Sequence, residues 1–354
     1  MESAREQGTR AAVAAAAAAL HQRLAPGMTR AECEAHAPWV VRIQELKRER
    51  RAVVLAHNYM APEIFHGVAD LKGDSLALAY QAAETDAEVV VVAGVHFMAE
   101  TAKLVSPEKT VLCPDLRAGC SLAASITAAD VRALRQQHPG VPVVTYVNTS
   151  AAVKAESDIC CTSGNAVQVV RSLGVPRVIF LPDAYLGQWV AAQSGVELIL
   201  WQGHCEVHER FSGEQLRTFR AAHPGVRVLA HPECPPDALA EADYVGSTAE
   251  MIRYVGAERP PRVALITECS MSDNVAAGFP ELEFVRPCTL CPHMKRLTLP
   301  NIASALERLE QRVEIEPALA ERARAAVERM LAITSSAVSS AGAPRAEPRR
   351  AAAS

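Results

Sequence analysis

The chain reads as an α/β protein built from three similar parallel-sheet, three-layer domains around a pseudo-threefold axis, with the active site at the centre. Three observations predict this. Short β-branched runs alternate with Ala-rich amphipathic stretches, the pattern of parallel strands with crossover helices. A polar strand end followed by a small hydroxyl residue at a helix start recurs: from Ser75 to Ser163 is 88 residues, and from Ser163 to Ser247 is 84. One cysteine recurs with it, for Cys120 to Cys205 is 85 residues and Cys205 to Cys291 is 86.

The elements follow in order. Residues 1–35 form an Ala-rich extension, "MESAREQGTRAAVAAAAAALHQRL" at its start, whose apolar run is too weakly hydrophobic and too acidic at Glu2 and Glu6 for a secretion signal. Residues 36–122 hold the first repeat, with strands expected in "AVVLAHNY", "EVVVVAGVHF" and "TVLCPD". The second repeat, 123–207, offers "VPVVTYVN", "RVIFLPD" and "ELILWQG", and the third, 208–310, offers "VRVLAHPE", "RVALITE" and "EFVRPC". A C-terminal helix over 311–333 and a disordered Ser/Gly/Pro-rich tail over 334–354 complete the chain.

Composition excludes several functions. A net charge of -4 with both signs dispersed, and few aromatics, argues against a nucleic-acid partner. No run of 18 apolar residues is present to span a membrane. Ten cysteines in 354 residues are too few and too unevenly spaced for a disulfide scaffold, so a reducing, cytoplasmic setting is expected, with thiols as ligands or nucleophiles.

In an open α/β layer the carboxyl ends of strands line the ligand crevice. The first strand of each repeat ends in such groups: His57 and Tyr59, then Tyr146 and Asn148, then His231 and Glu233. The helix-opening motifs "GDSLAL", "CTSGNAV" and "GSTAEMI" add Ser75, Ser163, Ser247 and Thr248, suited to plain N-capping or, near substrate, to anion contact. Cys120, Cys205 and Cys291 sit among polar and turn residues ("LRAGCSL", "WQGHCEVH", "CTLCPHMK"), unlike core cysteines. Three thiolates suit zinc, with His208 as a fourth ligand, or a 4Fe-4S cluster with one open iron. The crowd of His, Tyr, Asn, Glu, Ser and Thr at neighbouring strand ends favours the cluster, because a substrate requires such groups and a structural zinc does not. A redox sensor that switches at Cys288 is the third alternative.

The segments "VVLAHNYMAPEI", "GVHFMAETAKLVSPEKTVLCPDLRAGCSLA", "TYVNTSAAVKAESDICCTSGNA", "FLPDAYLG", "HPEC", "ADYVGSTAEMI", "TECSM" and "CPHMKRLTL" together resemble the iron-sulfur quinolinate synthase family of NAD biosynthesis, over residues 50 to 305. The resemblance implies three α/β domains around a pseudo-threefold axis and a 4Fe-4S cluster on Cys120, Cys205 and Cys291. It implies condensation of iminoaspartate, supplied by a partner L-aspartate oxidase, with dihydroxyacetone phosphate to give quinolinate. By the same resemblance His57, Tyr59 and Glu233 are catalytic. His57, Ser75, Tyr146, Asn148, Ser163, His208, His231, Glu233, Ser247 and Thr248 contact substrate. Some members carry two cysteines upstream of the ligand; here Cys288 is present but Val285 replaces the other, so a thiol switch would have to pair Cys288 with Cys291 after the metal has left.

The remaining groups receive bland readings. Cys33, Cys113, Cys160, Cys161, Cys234 and Cys269 are expected to be packing residues. His66, His138 and His223 are expected to be surface or structural. Lys295 and Arg296 are expected at a solvated helix start.

Overall fold

A computed structural model of the chain describes residues 4–25 and 27–340, with side chains described only within 6–333. Its twelve described strands are β1 (Ala52–His57), β2 (Leu71–Gly73), β3 (Val89–Ala93), β4 (Thr110–Leu112), β5 (Val143–Tyr146), β6 (Ile159–Cys161), β7 (Arg177–Leu181), β8 (Glu197–Leu200), β9 (Arg227–Ala230), β10 (Tyr244–Val245), β11 (Arg262–Ile266) and β12 (Glu283–Phe284). They form three four-stranded sheets of one topology, β2-β1-β3-β4, β6-β5-β7-β8 and β10-β9-β11-β12. Every pairing is parallel, with Val54 opposite Val91, Val144 opposite Phe180 and Leu229 opposite Leu265. The three-sheet α/β expectation is therefore met.

Nine strands were expected and three more are present. The additional strands, β2, β6 and β10, are two or three residues long and lie at one edge of each sheet. Segments that short carry no period. In the other direction, "GVHF" does not continue β3: the chain turns after Gly94, and a helix spans His96–Val105.

Central strands are apolar because helices cover both faces of a parallel sheet. Val54, Val90 and Val91 in the first sheet, Val143, Ile179 and Phe180 in the second, and Val228, Ala264 and Ile266 in the third are all fully buried.

By contact density the chain forms two compact units. One comprises the residues up to Gly119 with Cys269–Glu281 and Leu290–Glu314, and contains the first sheet. The other comprises Cys120–Glu268, Leu282–Thr289 and the chain from Ile315, and contains the second and third sheets. In the first, the Ala-rich helix Ala4–Leu24 packs on the helix Arg30–Arg50. In the second, the helix Pro317–Ser340 packs against β6 and the helix Ala151–Ala155. The tail expected from 334 lies, beyond residue 340, outside the described residues.

One clamp is repeated in all three sheets. Asp70, Asp158 and Asp243 stand just before the short edge strands, and each carboxylate accepts the N–H of a residue in the central strand alongside: Val54 at 2.8 Å, Val143 at 2.7 Å and Val228 at 2.7 Å. Each also takes a cation from the preceding helix, Lys47 at 2.6 Å, Arg135 at 2.7 Å and Arg220 at 2.8 Å. The same cations reach the carbonyls of Val68, Glu156 and Glu241, two residues before each aspartate. Hydrogen bonds to an ionised acceptor are the stronger kind, about 1.5–3 kcal/mol each. They fix where strand and helix meet, and so where each strand end points.

The second and third repeats also share "HPGV". His138 and His223 cap the ends of the helices Ala128–Gln137 and Gly213–Ala222. Gly140 and Gly225 then adopt φ of 78° and 79°, which glycine tolerates without a Cβ penalty. Both histidines thus have structural positions.

Candidate active site

In the unit that holds the first sheet, β1 ends at His57, which is buried. Its Nδ1 accepts the N–H of Tyr59 at 3.2 Å, and the two rings meet edge to face at 4.7 Å. The Asn274 amide donates to the carbonyls of Asn58 and Met60 at 3.0 and 2.8 Å, so the backbone around Tyr59 is held from both sides. Ser75 is the first residue of the helix Ser75–Glu84, but the cap is Asp74, whose carboxylate accepts the Ala77 N–H. Ser75 is half-buried at a helix start it does not cap.

In the other unit, buried polar groups from two sheets meet. Tyr146, at the end of β5, donates its hydroxyl to Glu233 Oε1 at 2.6 Å. His208 Nδ1 lies 2.8 Å from Glu233 Oε2 and 3.2 Å from Cys205 Sγ, while its Nε2 meets Thr267 Oγ1 at 2.9 Å. His231 stacks on His208 with centroids 4.7 Å apart, and its Nε2 lies 3.2 Å from Ser163 Oγ. Its Nδ1 accepts the Glu233 N–H at 3.4 Å, the same two-residue turn that links His57 and Tyr59. His208, His231 and Glu233 are all nearly inaccessible.

Ser247 caps the helix Thr248–Glu258 through a reciprocal pair with Glu250 and is buried, as is Thr248. Its hydroxyl faces Gly164, where an added Cβ would lie 3.3 Å away. Ser163 caps no helix; the next one starts at Ala166. The side-chain oxygen of Asn148 is enclosed without a donor among the described residues. Its loop is tied down by Lys154, wholly buried, which donates to the carbonyls on either side, Val147 at 2.8 Å and Thr149.

Burial pushes the Glu233 carboxyl towards its neutral form, but the His208 and His231 imidazoles, with hydrogen bonds from His208 and Tyr146, outweigh it and hold the group below the usual carboxylate range. Asp183 goes the other way. Enclosure and the charge of Glu233 raise it well above that range; one oxygen accepts the Leu186 N–H and the other meets no donor among the described residues. Two carboxyls with opposite shifts in one cluster are a common sign of acid–base chemistry. Sequence reasoning missed both Asp183 and Thr267. Each follows the middle strand of its repeat, β7 in "FLPD" and β11 in "ALITE", so the signal was the strand-end rule applied to the second strand as well as the first.

The three recurrent cysteines share a local geometry. The carbonyl of Cys120 accepts the Ala124 N–H at 2.9 Å, that of Cys205 the Glu209 N–H at 2.9 Å, and that of Cys291 the Lys295 N–H at 3.1 Å. Each therefore stands four residues before an amide of a helical turn, as a half-buried residue outside any disulfide. Cys33, Cys113, Cys160, Cys161 and Cys234 are free but buried. Burial raises the thiols of Cys113 and Cys160 to about 12, which keeps them protonated and unreactive. For Cys205, burial and then the charges of Glu233 and Cys120 raise the thiol, while the N–H groups of His208 and Val207 favour thiolate. Ligand atoms of Cys205, His208 and Glu233 lie within 4.8 Å of one another, a group able to hold a metal ion.

Two expectations are corrected. Cys269 is not a packing thiol: it is disulfide-bonded, as is Cys288. Lys295 and Arg296 are not merely solvated, since Lys295 donates to Ser270 and Arg296 holds Asp115 with two contacts of 3.0 Å.

The family model described as quinolinate synthetase A protein, NadA, matches residues 41–332. Quinolinate synthase 2 of Mesorhizobium japonicum is 68% identical over 312 residues, 88% of this chain and 95% of that protein. Quinolinate synthase of Agrobacterium fabrum is 65% identical over 317 residues, 90% of this chain and 92% of its own length. Quinolinate synthase of Xylella fastidiosa strain Temecula1 is 64% identical over 291 residues, 82% and 86% of the two chains. The matched span takes in all three sheets and every recurrent cysteine, and on that ground the chain belongs to the quinolinate synthetase A family of enzymes.

Proposed function

We propose that the chain condenses iminoaspartate with dihydroxyacetone phosphate to form quinolinate, releasing one phosphate and two waters, for de novo NAD biosynthesis in the cytoplasm. Iminoaspartate would come from an L-aspartate oxidase. The three repeats are taken as 36–122, 123–207 and 208–310, each contributing one crevice and one thiol.

The observations that carry this reading are three half-buried cysteines of equivalent local geometry and, in the unit with the second and third sheets, a buried Tyr146–Glu233–His208 chain, in a member of this family. Cys120, Cys205 and Cys291 fit a 4Fe-4S cluster: soft donors, each at a turn, with amide N–H groups turned towards the Cys205 sulfur. When bound, the cluster supplies a Lewis-acidic iron for a substrate oxygen.

The chain's own residues do the rest. Glu233, held ionised, accepts a substrate proton by releasing one of its two partners, Tyr146 or His208. Tyr146 then offers its hydroxyl back as a donor. His57 and Tyr59, linked through the Tyr59 N–H, provide a second proton-handling pair. Ser163, held by His231, and Ser247 with Thr248 at a helix start present donors to carboxylate or phosphate oxygens. Asn148, whose side-chain oxygen meets no donor among the described residues, offers an acceptor to a substrate hydroxyl or N–H.

The test is an oxygen-free assay with dihydroxyacetone phosphate and freshly generated iminoaspartate, read as quinolinate formed. No quinolinate from protein loaded with iron and sulfide overturns the reading. A second reading, a single zinc ion, is favoured by the close grouping of Cys205, His208 and Glu233. Colour separates them: brown protein with broad visible absorption supports the cluster, and colourless protein with one bound zinc supports the alternative.

A further inference from the structure

Beyond the three thiols, one hydroxyl bridges the two that lie in the same compact unit. Ser121 directly follows Cys120. Its Oγ donates to the carbonyl of His204 at 3.1 Å and accepts the N–H of Glu206 at 3.1 Å. Those are the two residues flanking Cys205. The contact spans 85 positions of sequence and ends on both sides of a single thiol.

The same two segments are joined elsewhere along their length. The Trp201 indole N–H donates to the Ser125 carbonyl at 3.0 Å. Between them Gly203 approaches so closely that an added Cβ would lie 2.5 Å from Ser125 Oγ and 2.5 Å from the Pro182 carbonyl. The helical turn Ser121–Ala124 is thus laid along residues 201–206, and Ser121 is its contact at the thiol end.

We propose that Ser121 is a positioning residue that sets the spacing of Cys120 and Cys205 in the metal-free chain, so that a cluster is received without rearranging either turn. The inference rests on the cluster reading given above. The two hydrogen bonds tie the residue after Cys120 to both neighbours of Cys205. Losing them removes this link and lets the Cys205 turn drift relative to Cys120. Two thiols whose spacing fluctuates release a cluster faster.

The experiment compares wild type, Ser121→Ala and Ser121→Thr after anaerobic reconstitution with iron and sulfide, following bleaching of the visible absorption by an iron chelator. Thermal unfolding of the metal-free proteins is measured alongside. Ser121→Ala is expected to bleach about tenfold faster, as loss of two ordinary hydrogen bonds predicts. Ser121→Thr, which keeps the hydroxyl, is expected to behave as wild type, and the metal-free melting curves are expected to nearly coincide. Equal bleaching of wild type and Ser121→Ala overturns the inference, as does failure of threonine to restore the slow rate. A wild type that acquires no colour overturns the cluster reading and this inference with it, an outcome recognised from the wild-type sample alone.

Discussion

The hydroxyl of Tyr146, at the end of β5, lies 2.6 Å from Glu233 Oε1, just beyond the end of β9, so strand ends of two sheets share one short hydrogen bond. Both groups are buried, and the carboxylate has a second partner in His208 at 2.8 Å. The pair gives Glu233 its charge in an enclosed place, because the hydrogen bonds and imidazoles overcome the cost of burial.

Replacing Tyr146 with Phe removes one of those partners without opening a cavity. Turnover is expected to fall by about 100-fold or more, as for other proton-handling groups. Glu233 is held below its ordinary pKa, so losing a donor lets it rise. The acidic limb of the pH–rate profile therefore moves to higher pH. A limb that stays in place shows that Tyr146 does not tune Glu233.

The cysteine assignments separate cleanly in metal content. Cys291→Ala and Cys205→Ser are expected to be colourless and inactive after reconstitution, since a hydroxyl or methyl is a poor ligand for a soft metal. Cys288→Ala is expected to retain iron and colour. Iron and sulfide analysis decides it, and a full complement in Cys291→Ala would move the ligand elsewhere.

His66 should make stability fall in acid. Burial, then the charges of Lys72 and Arg23, lower its pKa from 6.5 to about 4 in the folded chain. The unfolded chain takes up the proton first as pH drops, so this contribution is complete above pH 6.5 and is lost between 6.5 and 4. Allowing for solvent screening at a partly exposed ring, the loss is about 1–2 kcal/mol. Urea unfolding at pH 7 and pH 4.5 should show a smaller difference for His66→Gln than for wild type. Equal differences would remove His66 from the account.

Asp243→Asn tests the repeated clamp. It keeps the shape but loses the charge that Arg220 and the Val228 N–H share. Stability should drop by about 1.5–3 kcal/mol, with activity per folded molecule nearly unchanged, since the clamp lies at the far end of β9 from His231. Chemical denaturation and a steady-state assay of the same sample read both.

The sequence made the sheets legible where strands were long enough to carry a run of Val, Ile and Leu. β2, β6 and β10 escaped because two or three residues carry no period, and an aspartate clamp stands just before each of them. Polar strand ends revealed the candidate site residues, but not their partners. That His208 meets Glu233 and Thr267 depends on how turns within one repeat pack, and that Ser163 meets His231 on how two repeats pack. The hydroxyl motif hid three roles: Ser247 caps its helix, Ser75 stands beside a capping aspartate, and Ser163 faces a histidine. The disulfide-bonded state of Cys269 and of Cys288 was invisible too, since sequence spacing declares no partner for either.

The aspartate clamps bear on how the chain is made. Each carboxylate reaches back only 16, 15 and 15 residues to the strand N–H it holds. Closing so short a loop costs little chain entropy, and it needs no segment still to be synthesised. A nascent chain emerging from the ribosome can thus fasten each strand to its own helix as soon as that aspartate appears. Three small local nuclei then form in N-to-C order before the distant strand ends must find one another.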